Sequence, residues 1–335
     1  MNFVKLKNLN KVFIIAEIGN NHEGNFNLAK KLIYQASRTG ADAVKFQTFK
    51  TEKFIRKVEK KRFKQLKKFQ FSYDQFIRLK KIAHSKKLKF ISTPLDIDSC
   101  KFLIRHADII KIASSDNNFF PLIELVLKSR KPVIISTGMI NSKDLDYLIK
   151  FIKKIKSSYN LKNIALLHCV TSYPVTAKFA NLESIRYLKD KYNLTIGYSD
   201  HTMGTDACAL AVALGANIIE KHFTIKKNFS RFRDHRLSSD PKEMKYLISR
   251  IKNVKLLLGS YRKKIQPIEK KFIHTIRRKP YAKKTINKGE LLTIDKVEFL
   301  RSPSKENFLY LREFIGKKVK RKITKNGIIK KNYLY

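Results

Sequence analysis

Two histidines carry the clearest chemical signal, because each follows a short apolar run of the sequence. His201 comes directly after Ser199 and Asp200, and His222 follows Glu220 by two positions. If the two runs are neighbouring strands, both imidazoles lie at the same edge and can bind one divalent cation, with positions left for water and substrate oxygens. The neighbouring carboxylates can orient the rings. The alternative is that each histidine is a hydrogen-bonded core residue.

Two lysines, Lys45 and Lys111, end apolar runs in the same manner. A buried ammonium group costs free energy unless an anion meets it, so the pair predicts a bound phosphate or carboxylate. Internal salt bridges, for example with Glu17, are the alternative. Hydroxyl groups that can donate to phosphate oxygens follow neighbouring runs, namely Thr93, Ser114, Ser136, Thr137 and Ser199.

Glu17 ends the first apolar run and opens the segment Gly19-Asn20-Asn21-His22. A carboxylate beside a metal and two lysines can act as a general base on a water or a hydroxyl group. A role limited to balancing charge fits the sequence equally well. Neither of the phosphate-binding motifs GxGxxG and GxxxxGKS occurs, so Gly19 alone is weak evidence for a phosphate loop.

The elements that have to position these groups are short apolar runs separated by helix-like segments. Such runs are typical of parallel strands that are covered on both faces, and eight of them predict a closed (β/α)8 TIM barrel. The carboxyl ends of the strands form the active-site face of that fold, so polar residues at every strand end predict an enzyme. The runs are residues 13–16, 43–44, 90–91, 109–110, 133–135, 164–167, 194–198 and 217–219.

The chain is longer than a barrel requires, which predicts a second, small domain. Residues 1–260 are predicted to form the barrel, residues 261–280 a linker with Pro267 and Pro280, and residues 281–335 a compact, mostly β module. Apolar residues at three- and four-residue spacing predict the covering helices, at residues 27–40, 72–87, 141–156, 203–215 and 241–258.

The net charge of +46 comes from 73 Lys and Arg against 27 Asp and Glu. The excess is spread along the chain, and the abundance of Lys, Asn and Ile matches an AT-rich coding bias without any function. Steering of anionic substrates is the functional alternative. Basic runs such as residues 50–68 are weak evidence for nucleic acid, although Phe54, Phe63 and Phe69 keep a basic nucleic-acid-binding protein as the alternative of a different class.

The cysteines and the amino terminus indicate the compartment. Cys100, Cys169 and Cys208 form no CxxC pair, and residues 1–11 are short and basic with no secretory signal. We therefore expect reduced thiols in a cytoplasmic protein. No apolar stretch approaches 18 residues, so we expect no membrane span.

A series of ordered motifs resembles the N-acetylneuraminate (sialic acid) synthase family. The resemblance covers essentially the whole chain, because residues 281–335 resemble the antifreeze-like (SAF) domain of these enzymes. The motifs are AEIGNNH at 16–22, KFQT at 45–48, STP at 92–94, KIAS at 111–114, STGM at 136–139, LHC at 167–169, YP at 173–174, IGYSDHT at 196–202 and EKHF at 220–223.

The resemblance implies a transferase that condenses phosphoenolpyruvate with an N-acylated hexose to a nine-carbon α-keto acid, releasing phosphate by C–O cleavage. It implies that His201 and His222 hold a divalent metal, Mn or Mg, which polarises the sugar aldehyde. Glu17 would activate water or stabilise positive charge, with Glu220 and Asp234 ordering the metal and the sugar. The substrate-binding residues implied are Lys45, Gln47, Thr93, Lys111, Ser114, Ser136, Tyr173, Ser199, Lys288 and Arg301.

The family also implies a domain-swapped homodimer, in which the SAF domain of one subunit covers the barrel of the other. Arg301 stands nearest the family arginine that contacts the acylamino group of the sugar. The chain departs from the family twice in this region: Ser302-Pro303 follows Arg301 where Pro-Gly is usual, and Phe232-Arg233 replaces the Gly-Pro of Gly-Pro-Asp-His.

Both departures lie in the region expected to bind the sugar, so the sequence does not identify which sugar is the acceptor. N-acetylmannosamine and the precursors of legionaminate or pseudaminate are the leading candidates. The nearest rival is a phosphoenolpyruvate-dependent aldol-type synthase that uses a phosphorylated sugar. That reaction would need a second anion pocket, for which Arg231 and Arg233 are candidates.

Overall fold

Eight parallel strands close into a barrel in the computed structural model, which describes residue 3 and residues 11–155, 161–306 and 309–335. Each strand pairs with its neighbours in sequence, and the first pairs with the last. The predicted (β/α)8 barrel is therefore confirmed. The strands are β1 (Phe13–Gly19), β2 (Ala43–Thr48), β3 (Lys89–Pro94), β4 (Ile109–Ile112), β5 (Val133–Ser136), β6 (Ile164–Cys169), β7 (Thr195–Asp200) and β8 (Ile218–His222).

Helices alternate with these strands and cover the barrel. Two of them, α2 and α3, form an insertion between β2 and the covering helix α4. Lys156, the last residue of one predicted helix, lies outside the described residues. The helices are α1 (Phe26–Ser37), α2 (Thr51–Phe54), α3 (Lys60–Phe69), α4 (Tyr73–Ser85), α5 (Ile97–His106), α6 (Phe120–Lys128), α7 (Ser142–Ile155), α8 (Ser184–Lys191), α9 (Asp206–Ala213), α10 (Arg233–Leu237) and α11 (Pro241–Leu258).

Local sequence signals explain where several helices begin. Ser72 accepts from the backbone N–H of Gln75, whose side chain accepts from the N–H of Ser72, and this capping box starts α4. Asp240 caps α11, and Pro241 occupies its first position, where no backbone N–H is needed. The bounds predicted for this last helix are confirmed.

Side chains alternate along each strand between the barrel lumen and the helices. The lumen-facing residues near the strand starts are apolar and form a cluster of their own, made of Phe3, Phe13, Ile15, Ala43, Ile91, Ile109, Ile134, Ala165, Leu167 and Ile218. Two positions further along, the lumen-facing residue is polar: Glu17 follows Ile15, Lys45 follows Ala43, Thr93 follows Ile91, Lys111 follows Ile109, Ser136 follows Ile134, and Glu220 follows Ile218. The polar groups therefore rest on an apolar floor.

The strands extend further than the apolar runs predict. The second run ends at Val44, yet β2 continues to Thr48, with Gln47 opposite Thr93 in β3. The backbone ladder continues because these polar side chains point into a cavity and lose no apolar contact. Site residues such as Lys45 and Lys111 are consequently strand residues with fixed directions.

An ion pair between β7 and β8 is completely buried outside the lumen. Lys221 Nζ donates to Asp200 Oδ2 at 2.7 Å and to the carbonyl oxygen of Thr202, and neither charged side chain is exposed. Asp200 also accepts from the hydroxyl of Tyr198 at 3.0 Å. A buried charge of this kind is tolerated because each partner compensates the other.

We expect Lys221→Met to destabilise the protein by about 3–5 kcal/mol, because the buried carboxyl group of Asp200 loses its cationic partner. The free energy of unfolding from urea titration measures the loss. Adding Asp200→Asn in the same chain should recover part of it, since the uncompensated charge is then gone. A loss below about 1 kcal/mol for the single variant would show that water or a rearranged neighbour solvates Asp200.

The chain divides into two compact units between Gly259 and Ser260. In the second unit, the segment predicted as a linker contains a 3-10 helix (Pro267–Phe272), which Gln266 caps, and the short helix α12 (Ile273–Ile276). Its regular strands are β9 (Lys279–Ala282) and β10 (Val297–Leu300), which pair antiparallel. The core of this unit consists of Ala282, Ile286, Leu292, Val297, Phe314, Val319, Ile323, Ile329 and Leu334.

In the described part of the chain, the helices are too short or too polar to cross a bilayer.

Candidate active site

The polar lumen residues line one cavity of 230 Å³ at the carboxyl ends of the strands. A larger cleft of 480 Å³ beside Val12 and Ile14 is lined by apolar groups, three lysines and one aspartate and gathers no comparable set of polar side chains. Residues of the smaller cavity are Glu17, Lys45, Gln47, Phe54, Arg62, Thr93, Leu95, Lys111, Ala113, Ser114, Ser115, Ser136, Cys169, Thr171, Tyr173, Ser199, His201, Glu220, His222 and Arg233. Most of the predicted site residues therefore meet at one place.

Two lysines and two glutamates meet inside this cavity. Lys45 Nζ lies 2.9 Å from Glu17 Oε2 and 3.7 Å from Glu220 Oε1. Lys111 Nζ lies 3.8 Å from Glu220 Oε1 and donates to the hydroxyl of Ser136. All four charged side chains are buried. The internal salt bridges considered for the lysines are present, and they belong to the same cavity as the predicted anion site.

The two glutamates differ in proton affinity. Burial raises the pKa of Glu17 to about 7, against the opposing charge of Lys45. Burial acts on Glu220 in the same direction, but Lys111 and Lys45 outweigh it and lower the pKa of Glu220. Paired carboxylates whose pKa values are pushed apart are typical of acid–base sites, in which one group titrates near neutral pH and the other stays ionised.

Hydroxyl groups line the cavity beside the lysine pair, and those of Thr93 and Thr171 have no hydrogen-bond partner among the described residues. The hydroxyl of Ser199 donates to Glu220 Oε1 at 2.9 Å, and that of Ser114 accepts from the N–H of Gly138 at 3.1 Å. Thr93 Oγ1 is buried and has no hydrogen-bond partner among the described residues. Because buried polar groups are normally paired, this hydroxyl is suited to bind a ligand.

His201 and His222 stand side by side with ring centroids 5.4 Å apart. His201 Nδ1 lies 2.8 Å from the carbonyl oxygen of Val170, which can only accept, so Nδ1 carries a proton and Nε2 faces the remaining space. His222 Nδ1 is buried without a partner among the described residues. Burial holds the pKa of His222 well below its usual range, so this ring is neutral.

Cys169 is a lumen residue next to His201, with 3.9 Å between Sγ and Nδ1. Burial alone would raise the pKa of the thiol, but His201 outweighs it and the pKa is lowered. Burial would lower the pKa of His201, but Cys169 outweighs it and the pKa is raised. A metal ion on His201 therefore has to compete with a proton.

The histidine pair fits a catalytic divalent metal that keeps open positions. No cluster of three or more His, Cys, Asp or Glu side chains able to hold a metal occurs in residues 11–155, 161–306 and 309–335. The chain itself would thus supply two imidazole nitrogens, of which the unpartnered nitrogen of His222 is the clearest sign. Water and substrate oxygens would complete the coordination.

The carboxylates predicted beside the histidines separate in the structure. Glu220 lies in the cavity, whereas Asp200 points to the other face of β7 and pairs with Lys221, so it cannot orient the histidines from the lumen. Asp234 is buried in α10, where its Oδ1 accepts from Arg233 Nε at 3.2 Å, and burial raises its pKa. Asp234 stands behind Arg233 and is not among the lining residues.

Sequence reasoning missed Arg62, which lies in the basic run of residues 50–68. The structure places it in the cavity lining. The available signal was its spacing from the buried Leu66 and Phe69, which puts all three on one face of α3. Of the two candidate arginines near the eighth strand, Arg233 lines the cavity and Arg231 does not.

Lys288 and Arg301 belong to the second unit. Lys288 lies in a turn before Gly289, and Arg301 directly follows β10. Both side chains are exposed. Their roles toward the substrate stay predictions.

Models of known families match both parts of the chain. The NeuB family model matches residues 32–263, and the SAF domain model matches residues 281–334.

Individual relatives agree with these matches and differ in their products. The N,N'-diacetyllegionaminic acid synthase of Campylobacter jejuni is 38% identical over 92% of this chain and 96% of its own length. The N-acetylneuraminate-9-phosphate synthase of Drosophila melanogaster is 36% identical over 75% of this chain and 70% of its own. The crystal structure of the N-acetylneuraminic acid (sialic acid) synthetase of Leptospira borgpetersenii with citrate aligns with a TM-score of 0.73 and 37% identity, over 78% of this chain and 90% of that chain.

Proposed function

The chain belongs to the NeuB family of sialic and related nonulosonic acid synthases and ends in a SAF domain, and from this membership we propose the following reaction. Phosphoenolpyruvate condenses with N-acetylmannosamine or a related N-acylated hexose to give a nine-carbon α-keto acid and phosphate. The observation that carries the proposal is the single cavity in which a buried lysine pair, two unequal glutamates and two histidines meet.

Phosphoenolpyruvate occupies the lysine side of the cavity. Its phosphate and carboxylate meet Lys45 and Lys111, whose charges are strong in this buried setting. The free hydroxyl of Thr93 supplies a further donor. Four other polar side chains of the lining complete this set, namely Gln47, Ser114, Ser136 and Ser199.

The acceptor sugar occupies the histidine side. A divalent metal, Mn or Mg, held by His201 and His222 would act as a Lewis acid on the aldehyde of the open-chain sugar. Tyr173 packs against the His201 ring with centroids 4.2 Å apart and limits the space from above. Glu220 stays ionised beside the reacting carbons and stabilises positive charge there, and Asp234 steadies the sugar through Arg233.

Glu17 moves the proton that the reaction requires. C3 of phosphoenolpyruvate forms a bond to the aldehyde carbon, whose oxygen takes up a proton from solvent, and positive charge develops at C2. Water adds to C2 and gives one proton to the carboxylate of Glu17. The C–O bond from the tetrahedral C2 to the phosphate then breaks, the phosphate leaves with the proton of the C2 hydroxyl group, and C2 becomes the ketone. A pKa near 7 suits Glu17 to accept and return this proton.

The test is to incubate metal-stripped full-length protein with phosphoenolpyruvate, Mn and a panel of N-acetylmannosamine and its diacetamido-dideoxy relatives. We expect metal-dependent phosphate release with one sugar, and a product with the mass of the nine-carbon acid. A reaction without sugar and one with EDTA are the controls. Absence of phosphate release with every acylamino sugar, neutral or phosphorylated, would contradict the proposal.

The active form is a homodimer in which Arg301 of one subunit reaches the sugar bound by its partner. Large apolar side chains stay exposed at the end of α11 and beyond it, with Leu256 80% and Leu257 77% exposed, and a partner surface would cover them. Lys288 and Arg301 are exposed polar groups of the second unit.

Arg301→Ala should raise the Michaelis constant for the sugar about tenfold or more, with a smaller change for phosphoenolpyruvate, because a charged hydrogen bond to the sugar is lost. Steady-state kinetics with each substrate varied in turn measures both constants. The reverse pattern would contradict a sugar-facing role of Arg301. Sedimentation of the variant controls for the dimer.

A further inference from the structure

Two arginines stand at the mouth of the cavity, in addition to the lysines inside it. Arg62 comes from the inserted helix α3, and Arg233 is the first residue of α10, after β8. In the described part of the chain, four cationic side chains line the cavity against two carboxylates, Glu17 and Glu220. The lysines already face those carboxylates, and Arg233 pairs with Asp234 at 3.2 Å, whereas Arg62 forms no ion pair with a described residue. The arginine pair therefore carries more positive charge than its single carboxylate partner balances.

A hydrophobic cluster holds α3 against the loop that carries Arg233. Leu66 and Phe69 follow Arg62 on one face of α3, and the Phe69 ring packs edge-on against Phe232 with centroids 5.2 Å apart. Because Phe232 directly precedes Arg233, the cluster brings both guanidinium groups to the same side of the mouth. Burial and the charge of the nearby Arg233 lower the pKa of Arg62, as expected for two cations held together.

Most of the arginine donors have no acceptor among the described residues. Arg62 Nη1 donates to Gln65 Oε1 at 2.8 Å, and Arg233 Nε donates to Asp234 Oδ1. The Arg233 guanidinium stacks on the Tyr173 ring, 4.9 Å from its centroid, which fixes its plane. A guanidinium has five N–H donors in a fork that matches phosphate, so this pair leaves several donors for one anion.

The position of the pair indicates which substrate carries that anion. Arg233 stacks on Tyr173, and Tyr173 packs against His201, so Arg233 lies beside the histidine side of the cavity. Arg62 lies on a helix that packs on Phe49 and Leu95, which directly follow β2 and β3. On the proposed function, the sugar aldehyde is at the histidines, and the rest of the open-chain sugar extends toward the mouth.

We propose that Arg62 and Arg233 form a second anion subsite, which binds a phosphate monoester at the end of the acceptor sugar remote from the aldehyde. The inference rests on the proposed function and specifies its substrate class: the acceptor is a sugar phosphate. A neutral acylamino sugar would leave most N–H donors of the two guanidinium groups without an acceptor, and its binding would forfeit their charge-assisted hydrogen bonds to a phosphate.

The experiment compares kcat/KM for N-acetylmannosamine 6-phosphate and for N-acetylmannosamine, with phosphoenolpyruvate and Mn, in four full-length proteins. These are the wild type, R62Q, R233P and the matched control R231Q, whose arginine is exposed two positions before Arg233. Proline is tolerated at the first helical position that Arg233 occupies, so R233P preserves the start of α10.

We expect the wild type and R231Q to prefer the phosphorylated sugar by about tenfold or more, and R62Q and R233P each to reduce that ratio about tenfold to a hundredfold. An equal kcat/KM for both sugars in the wild type, or an unchanged ratio in R62Q and R233P, overturns the subsite while the proposed function stands. A rise in the Michaelis constant for phosphoenolpyruvate with no change of the sugar ratio assigns the arginines to the other substrate and also overturns it.

Absence of turnover with both sugars counts against the proposed function for this sugar, and calorimetry then decides the subsite separately. Binding of N-acetylmannosamine 6-phosphate to the wild type, weakened about tenfold or more in the R62Q/R233P double variant and unchanged in R231Q, supports it. Equal binding to all proteins, or no binding, overturns it.

Discussion

Replacing His222 by alanine will reduce turnover about 10²–10⁴-fold and leave the protein folded. The loss corresponds to the several kcal/mol that a Lewis acid contributes at a carbonyl oxygen. The fold should persist because His222 Nδ1 has no hydrogen-bond partner among the described residues, so the substitution breaks no bond of that atom. His201→Ala should have the same kinetic effect, since two ligands hold one ion.

Two measurements separate this result from simple unfolding. Calorimetric titration with Mn should show one site in the wild type and none in His222→Ala, while circular dichroism and the urea midpoint stay unchanged. His84→Ala is the matched control, because His84 is an exposed α4 residue that contacts Asp108 outside the cavity. Near-normal activity after loss of either cavity histidine would remove the metal assignment.

Replacing Glu17 by glutamine will lower kcat about 10²–10⁴-fold, the range for loss of a general base. Glutamine keeps the size of the side chain but cannot take a proton from water. The pH profile should change as well. Glu17 acts as a base only when ionised and its pKa is raised to about 7, so wild-type kcat/KM should rise with pH through that value. In Glu17→Gln this limb should disappear.

Glu52→Gln is the matched control for this experiment, because Glu52 is an exposed carboxylate on α2 and lies outside the cavity. Its profile should overlay that of the wild type. A limb near pH 7 that persists in Glu17→Gln would assign the titration to another group. Full activity of Glu17→Gln would limit Glu17 to balancing the charge of Lys45.

Much of the site could be predicted from sequence because strand residues alternate with a period of two. Once a run such as Phe13 to Ile15 is identified as a strand with Phe13 and Ile15 in the lumen, a further step of two residues places Glu17 in the lumen as well. Applied to the seventh strand, it separates Ser199 from Asp200 and would have shown that Asp200 faces the helices. The prediction that Asp200 orients the histidines considered only the type of residue and its position next to His201, and it was wrong.

Other properties depend on contacts between distant segments. The unequal pKa values of Glu17 and Glu220 arise from distances to Lys45 and Lys111, which come from β2 and β4. No local pattern contains those distances. Arg62 was missed for a related reason: its helix is an insertion, and it reaches the barrel through a hydrophobic cluster of residues that are distant in sequence, namely Phe49, Leu66, Phe69, Leu95 and Phe232.

The apolar floor of the lumen has a kinetic consequence. Side chains such as Phe13, Ile15 and Ile109 close the barrel beneath the cavity, so the described barrel leaves one route in and out. On the proposed function, phosphoenolpyruvate at the buried lysines lies deeper than a sugar that extends to the arginines. A sugar bound first would block the path of phosphoenolpyruvate to the lysines. Phosphoenolpyruvate therefore has to bind before the sugar, and a complex of the enzyme with the sugar alone is a dead-end complex.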